Sequence, residues 1–193
     1  MESDHVPYPK PVPQRLVTLC HRRWALPLLA ALHARGGARF VELQRGVGVS
    51  AQPLRDNLDA LIDGGWLARH GGHGHPLRPE YVLTPAGRPM AAAAASLLSV
   101  AEPAGQVDVL TRKWTLPLIA ALAAGEARFA ALAAALGGVN PRALTLALKQ
   151  LVAAGLISRH VSAGHPPAVS YALARRAEAL RPGLRALLRA LAR

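Results

Sequence analysis

The sequence predicts a mainly α-helical chain with small β-hairpins, organised as two similar domains in tandem. Three observations carry that expectation: an internal repeat, apolar residues recurring at helical spacing, and glycine and proline placed where helices start and stop. The segment RRWALPLLAAL from Arg22 returns as RKWTLPLIAAL from Arg112, with Trp24 and Trp114 90 residues apart. After a one-residue slip the match continues through Arg39-Phe40 with Arg128-Phe129 and Leu43 with Leu132. The 90-residue shift then returns for Leu54, Leu58, Leu61, Gly65, Arg69-His70, His75-Pro76 and Tyr81, matched by Leu144, Leu148, Leu151, Gly155, Arg159-His160, His165-Pro166 and Tyr171. The chain reads as a duplication.

Each copy opens with a helix carrying Trp24 to His33 or Trp114 to Ala123. Pro27 and Pro117 are tolerable there only near the first turn, where amide donors lack partners anyway. A short second helix starts at Phe40 and at Phe129. The third helix starts at Asn140-Pro141, an N-cap followed by proline at the first helical position, and Ser50 is expected to cap its counterpart. Leu54, Leu58 and Leu61, like Leu144, Leu148 and Leu151, form an apolar stripe at i, i+4, i+7 that faces a core. Gly64-Gly65 and Gly155 stop these helices, and short extended pieces around polar tips then read as two-stranded wings. TPAGRPMAAAAASLLSV continues as a connecting helix after Pro85, broken by Glu102-Pro103-Ala104-Gly105. The expected division is a flexible proline-rich tail over 1–14, one domain over 15–102, and a second over 103–193 that ends in an Arg/Leu helix.

Composition narrows the function. The 193 residues exceed the usual single domain. Hydrophobic residues make up 51% but aromatics only 4%, which suits helices packed through alanine and leucine and disfavours a β-sandwich. No uninterrupted apolar run of about eighteen residues occurs, and the amino terminus MESDHVPYPKPVPQR opens on the acids Glu2 and Asp4 and is proline-rich rather than basic and then apolar, so a cytoplasmic protein without a membrane partner is expected. The single cysteine, Cys20, allows no internal disulfide and no cysteine-built zinc site. The 23 Lys+Arg against 11 Asp+Glu leave a net charge of +12, which attracts polyanions, either nucleic acid or an anionic membrane. No phosphate loop, nucleophile elbow or HExxH is present, so neither an enzyme nor a cofactor is expected.

Helix, short helix, capped helix and hairpin in that order make a winged helix-turn-helix, here two in tandem. The wording resembles the HxlR family of bacterial regulators: Lys113-Trp114-Thr115-Leu116, Arg39-Phe40 and Arg128-Phe129, Ser50 or Asn140 before the third helix, and Tyr81-Val82-Leu83-Thr84-Pro85-Ala86-Gly87. Members typically carry one such domain and bind operators as homodimers, so the resemblance implies a dimer made covalent. It also implies that the third helix enters the major groove, with Gln52, Arg55 and Asp56 in one copy and Arg142, Thr145 and Leu146 in the other near base edges. Arginine pairs with guanine and glutamine with adenine, which makes Arg142 and Gln52 the best readers. The full candidate DNA set is Ser50, Gln52, Arg55, Asn57, Arg69, His70, Arg142, Thr145, Lys149, Arg159 and His160.

Some residues depart from this pattern. Asp56 and Asp59 put carboxylates on a face that should meet phosphates, and Leu146 exposes an apolar group. The second copy has Ala174-Arg175-Arg176-Ala177 in place of Thr-Pro-x-Gly, so its end should pack differently. His70, His73 and His75 are better read as a polar tip or phosphate contact than as metal ligands, for no cysteine or acid completes a set. Cys20 aligns with Leu110 and reads as packing rather than as a redox sensor. Trp24, Trp66 and Trp114 read as core, with a ligand shelf as the other reading. In RPGLRALLRALAR, Leu184, Leu187, Leu188 and Leu191 share a face expected to pack on the partner unit, with Arg181, Arg185 and Arg189 on another.

The function expected is a sequence-specific DNA-binding transcriptional repressor acting as a pseudo-dimer, either monomeric or further paired as a homodimer, and responsive to a small-molecule effector between helices. The alternative is a winged-helix module that binds a small molecule or a protein and has given up DNA. On the leading reading the two third helices lie about 34 to 36 Å apart across a pseudo-two-fold axis and read an imperfect palindrome.

Overall fold

The computed structural model describes residues 11–71, 79–163 and 167–192. Along the chain these form α1 (Gln14–Cys20), α2 (Ala25–Arg35), β1 (Gly37–Arg39), α3 (Phe40–Val47), α4 (Ala51–Asp63), β2 (Leu67–His70), β3 (Glu80–Leu83) and α5 (Gly87–Ala101). They are followed by α6 (Val107–Leu110), α7 (Thr115–Leu122), β4 (Ala127–Arg128), α8 (Phe129–Ala135), α9 (Pro141–Ala153), β5 (Ile157–Val161), β6 (Val169–Leu173), α10 (Arg175–Glu178) and α11 (Arg181–Leu191). The protein is mainly helical with two small antiparallel β-hairpins. Among the described residues two compact units form, each discontinuous in sequence: residues 22–105 with 183–192, and residues 106–182 with 11–21.

In the first unit α2 packs along α5. Pro27 falls at the third position of α2, inside the turn whose amides have no helical acceptor, and Gly36 ends the helix with a left-handed φ of 76°. The facing surface of α5 is mostly alanine, with Met90, Ala91, Ala93, Ala94 and Leu97 buried, so the two helices approach through small side chains. The carboxyl-terminal segment joins this unit. Gly183 lies where a Cβ would come within 3.0 Å of the Leu97 side chain, and Leu184, Leu187 and Leu191 are buried while Arg185 and Arg189 are exposed. The amphipathic spacing therefore sinks one leucine face and leaves the cations in water.

The hairpin β2–β3 extends into a three-stranded sheet of order β1-β3-β2, with Gly37 opposite Val82 and Leu67 opposite Leu83. A two-stranded wing was expected from the sequence; β1 adds the third strand. Thr84 anchors the end of β3: its amide donates to the Trp66 carbonyl at 3.0 Å and its hydroxyl to the Gly65 carbonyl at 2.7 Å. Gly87 follows three residues on, and any Cβ there would overlap the Trp66 carbonyl oxygen. The Thr-Pro-x-Gly signature is thus a close backbone approach that only glycine fits.

The second unit repeats the order with a sheet β4-β6-β5. The Ala174 amide donates to the Leu156 carbonyl, matching the Thr84 contact. Here, however, Ala177 is buried in the separate short turn α10, and α11 begins anew at Arg181, whereas α5 is one continuous helix. Arg181 bridges this break, donating to the Ala123 carbonyl at 3.1 Å and to Glu178 at 2.8 Å. The amino-terminal helix α1 packs against α7, Val12 donates to the Ala135 carbonyl, and His21 stands edge-on to Trp114 with ring centroids 6.1 Å apart.

Cys20 lies at the buried end of α1, and burial pushes its thiol up from 9.0 to about 12. Thiolate, the reactive form, is therefore scarce at neutral pH. Cys20→Ala and Cys20→Ser are expected to leave the chain's response to oxidants unchanged; a melting temperature that peroxide or hypochlorite shifts in the parent but in neither variant would contradict this. The folded pKa is the higher one, so the unfolded chain releases the proton first. The stability contributed by the neutral thiol is full below pH 9.0 and declines as pH rises toward 12.

Candidate nucleic-acid interface

In each unit two helices meet at a tight turn. Gly48, with φ of 69°, ends α3, and Val49 is buried before α4 begins; Gly137 and Gly138, with φ of 72° and 80°, connect α8 to α9. Buried Leu54, Leu58 and Leu61 fix α4 by one face, and Leu144, Leu148 and Leu151 fix α9. The opposite faces turn to solvent. Asn140 caps α9, its Oδ1 accepting from the Arg142 amide at 2.9 Å. Ser50 holds the same place before α4 with extended backbone but makes no side-chain cap bond, contrary to the expectation that it does.

On α4 the exposed residues Gln52, Arg55, Asp56 and Asp59 fall at i, i+3, i+4, i+7. Two of them are already engaged. The Gln52 amide donates to Asp56 at 2.8 Å, and the Arg55 guanidinium sits 5.4 Å from the centre of the Phe40 ring. Arg55 also lines a cleft of about 290 Å³ with Phe40, Asp59, Arg69, Pro79 and Tyr81, between the third helix and the hairpin strands. Sequence reasoning missed Phe40 and Tyr81 here, because aromatic residues at a strand and a helix start look like core. Asn57 departs from the DNA set: it is only 5% exposed, its amide donates to the Pro53 carbonyl, and its Oδ1 has no partner among the described residues.

On α9 the equivalent stripe is Arg142, Thr145, Leu146 and Lys149, all exposed, and these residues with Pro141 line an open hollow of about 380 Å³. The Thr145 hydroxyl donates to the Pro141 carbonyl at 2.8 Å. The two helices differ sharply in charge. α4 carries one arginine and three aspartates, a net −2, whereas α9 carries Arg142 and Lys149 and no acid, a net +2.

The hairpins place Arg69 and His70 on β2 and Arg159 and His160 on β5, all exposed, with Arg69 opposite Tyr81 and Arg159 opposite Tyr171. His160 contacts the Ser158 hydroxyl at 2.8 Å. His73 and His75 lie outside the described residues, and among the described residues no cluster of His, Cys, Asp or Glu could hold a metal ion. Trp24, Trp66 and Trp114 are half-buried and line neither hollow; Arg23 lies over Trp24 at 5.5 Å and Lys113 over Trp114 at 4.6 Å. Among the described residues no helix is long and apolar enough to cross a membrane.

A turn-linked helix pair whose second helix presents a polar face, followed by an antiparallel hairpin, is a helix-turn-helix arrangement with a wing. The chain belongs to the HxlR-like helix-turn-helix family, whose model matches residues 19–106 and again 109–192. It is 38% identical over 81 residues to an HTH-type transcriptional regulator of Synechocystis sp., covering 42% of this chain and 60% of that protein. It is 33% identical over 76 residues to the HTH-type transcriptional regulator YvaP of Bacillus subtilis, covering 39% and 70%. A solved structure from Enterococcus faecalis, described as a regulator of the MarR family, is 31% identical with a TM-score of 0.39 and covers 48% of this chain and 76% of that one.

Proposed function

We propose that the chain is a sequence-specific, cytoplasmic transcriptional repressor in which two winged helix-turn-helix domains, joined by duplication, act as one covalent pseudo-dimer. The observation that carries this reading is the solvent face of α9: a guanidinium, an ammonium, a threonine and a leucine at helical spacing, with no carboxylate among them. The two separate matches to one family model support the duplication. In this account α4 and α9 enter neighbouring stretches of the major groove, and Arg69, His70, Arg159 and His160 meet phosphates from the hairpins. Ser50 lies near the backbone at the start of α4, and Asn57 supports the helix from within. The cleft lined by Phe40, Arg55, Arg69 and Tyr81 favours a small-molecule effector that would compete for Arg55 and Arg69.

A second reading, a domain that binds a small molecule or protein in place of DNA, is favoured by Asp56 and Asp59 of α4 and by the exposed apolar Leu146 of α9. A mobility-shift titration on genomic fragments at graded salt separates the two. DNA binding predicts that log K falls linearly with log salt, with a slope of about −0.9 for each phosphate neutralised. Absence of any shift at low salt would contradict the DNA reading.

A further inference from the structure

We infer that the two third helices are unequal readers: α9 carries the sequence readout, with Leu146 packing on a thymine methyl beside a base pair held by Arg142, and α4 adds little specificity. This rests on the DNA-binding reading above and names what that site recognises.

Leu146 is 58% exposed, in the middle of a helix face whose other members are Arg142, Thr145 and Lys149. Leu146 is the most exposed large apolar residue among those described and adds nothing to the core side of α9, which Leu144, Leu148 and Leu151 already fill. Its neighbours at i−4 and i+3 are cations, so a surface that covers Leu146 must also accept positive charge. The major groove meets both demands, with phosphates along its rim and an apolar group, the thymine methyl, on its floor. The hydroxyl hydrogen of Thr145 is taken by the Pro141 carbonyl, so Thr145 has none left to donate to a base. Arg142, beside the capped start of the helix, is then the group that pairs with guanine, and Leu146, one turn further on, meets the adjoining step.

The same positions on α4 are built the other way. Asp56 stands where α9 has Leu146, and Asp59 where it has Lys149. Asp56 also holds the Gln52 amide, and Arg55 lies over Phe40. Each engaged donor must break a contact before it reads a base, and the carboxylates oppose the phosphates on either side.

The test starts with selection of duplexes from a random library by the full chain. The expected product has one well-defined half containing a G·C pair with a thymine beside it, and one degenerate half. Uracil in place of that thymine removes only the methyl group and should weaken the parent about fourfold, the value of one buried methylene-sized group. Leu146→Ala should bind both duplexes equally and melt at the parent's temperature. If Leu146→Ala discriminates uracil from thymine as the parent does, if both halves are equally defined, or if the variant instead changes the oligomeric state, this inference is overturned while DNA binding stands. If no duplex is enriched and none is bound at low salt, the DNA-binding reading itself fails.

Discussion

Arg142→Ala is expected to lower specific DNA affinity by about 1 to 3 kcal/mol, a loss of roughly 5- to 150-fold, with the melting temperature unchanged. The side chain is exposed, so its removal leaves no cavity; the cap that starts α9 uses the Arg142 amide and survives the change. Gln52→Ala removes the corresponding group from α4. Its expected cost is smaller, because the amide is already bonded to Asp56. Binding isotherms on a selected duplex and on an unrelated one decide the matter, since loss of a base contact affects only the former. Parent-like affinity for the selected duplex in Arg142→Ala would mean that α9 does not face the bases.

Gly87→Ala is expected to destabilise the chain by about 3 kcal/mol, lowering Tm by on the order of 6 to 12 °C for a chain of this size. The added methyl collides with the Trp66 carbonyl, a backbone group that cannot swing aside. Moving it also disturbs the Thr84 amide bond to that same carbonyl. Alanine already stands at the matching place in the second unit, Ala177, at the separate turn α10. The reverse change, Ala177→Gly, should therefore cost no more than about 1 kcal/mol. Thermal melts followed by circular dichroism test both; a Gly87→Ala melt within about 1 °C of the parent would show that the connection after β3 yields easily.

What was legible in the sequence is what repeats at a fixed period. The leucines of α4 and α9 recur at helical spacing, and glycines and prolines mark helix ends, so the helices and hairpins follow from local chemistry. β1 and β4 were not legible, since segments of three and two residues show no alternation and owe their strand form to pairing with β3 and β6. Asn57 was misjudged by residue type. It lies between Leu54 and Leu58, and the spacing 54, 57, 58, 61 puts it on the buried face, where the second unit has Ala147. The placement of the terminal segments was only partly legible. For Leu184, Leu187 and Leu191 the expected neighbour was the other unit, and their segment does group with residues 22–105, whereas for Leu16, Val17 and Leu19 of α1 amphipathicity states a buried face but not that it joins residues 106–182. The charge contrast between α4 and α9 was visible residue by residue, whereas the contacts that occupy Gln52 and Arg55 are properties of the fold.

Hydroxyl-radical footprinting at one chain per duplex tests the central claim most directly. The account predicts two protected patches on one face of the DNA, centred about 10 to 10.5 base pairs apart, from a single chain. One patch per chain, with the second appearing only when another chain binds, would contradict it.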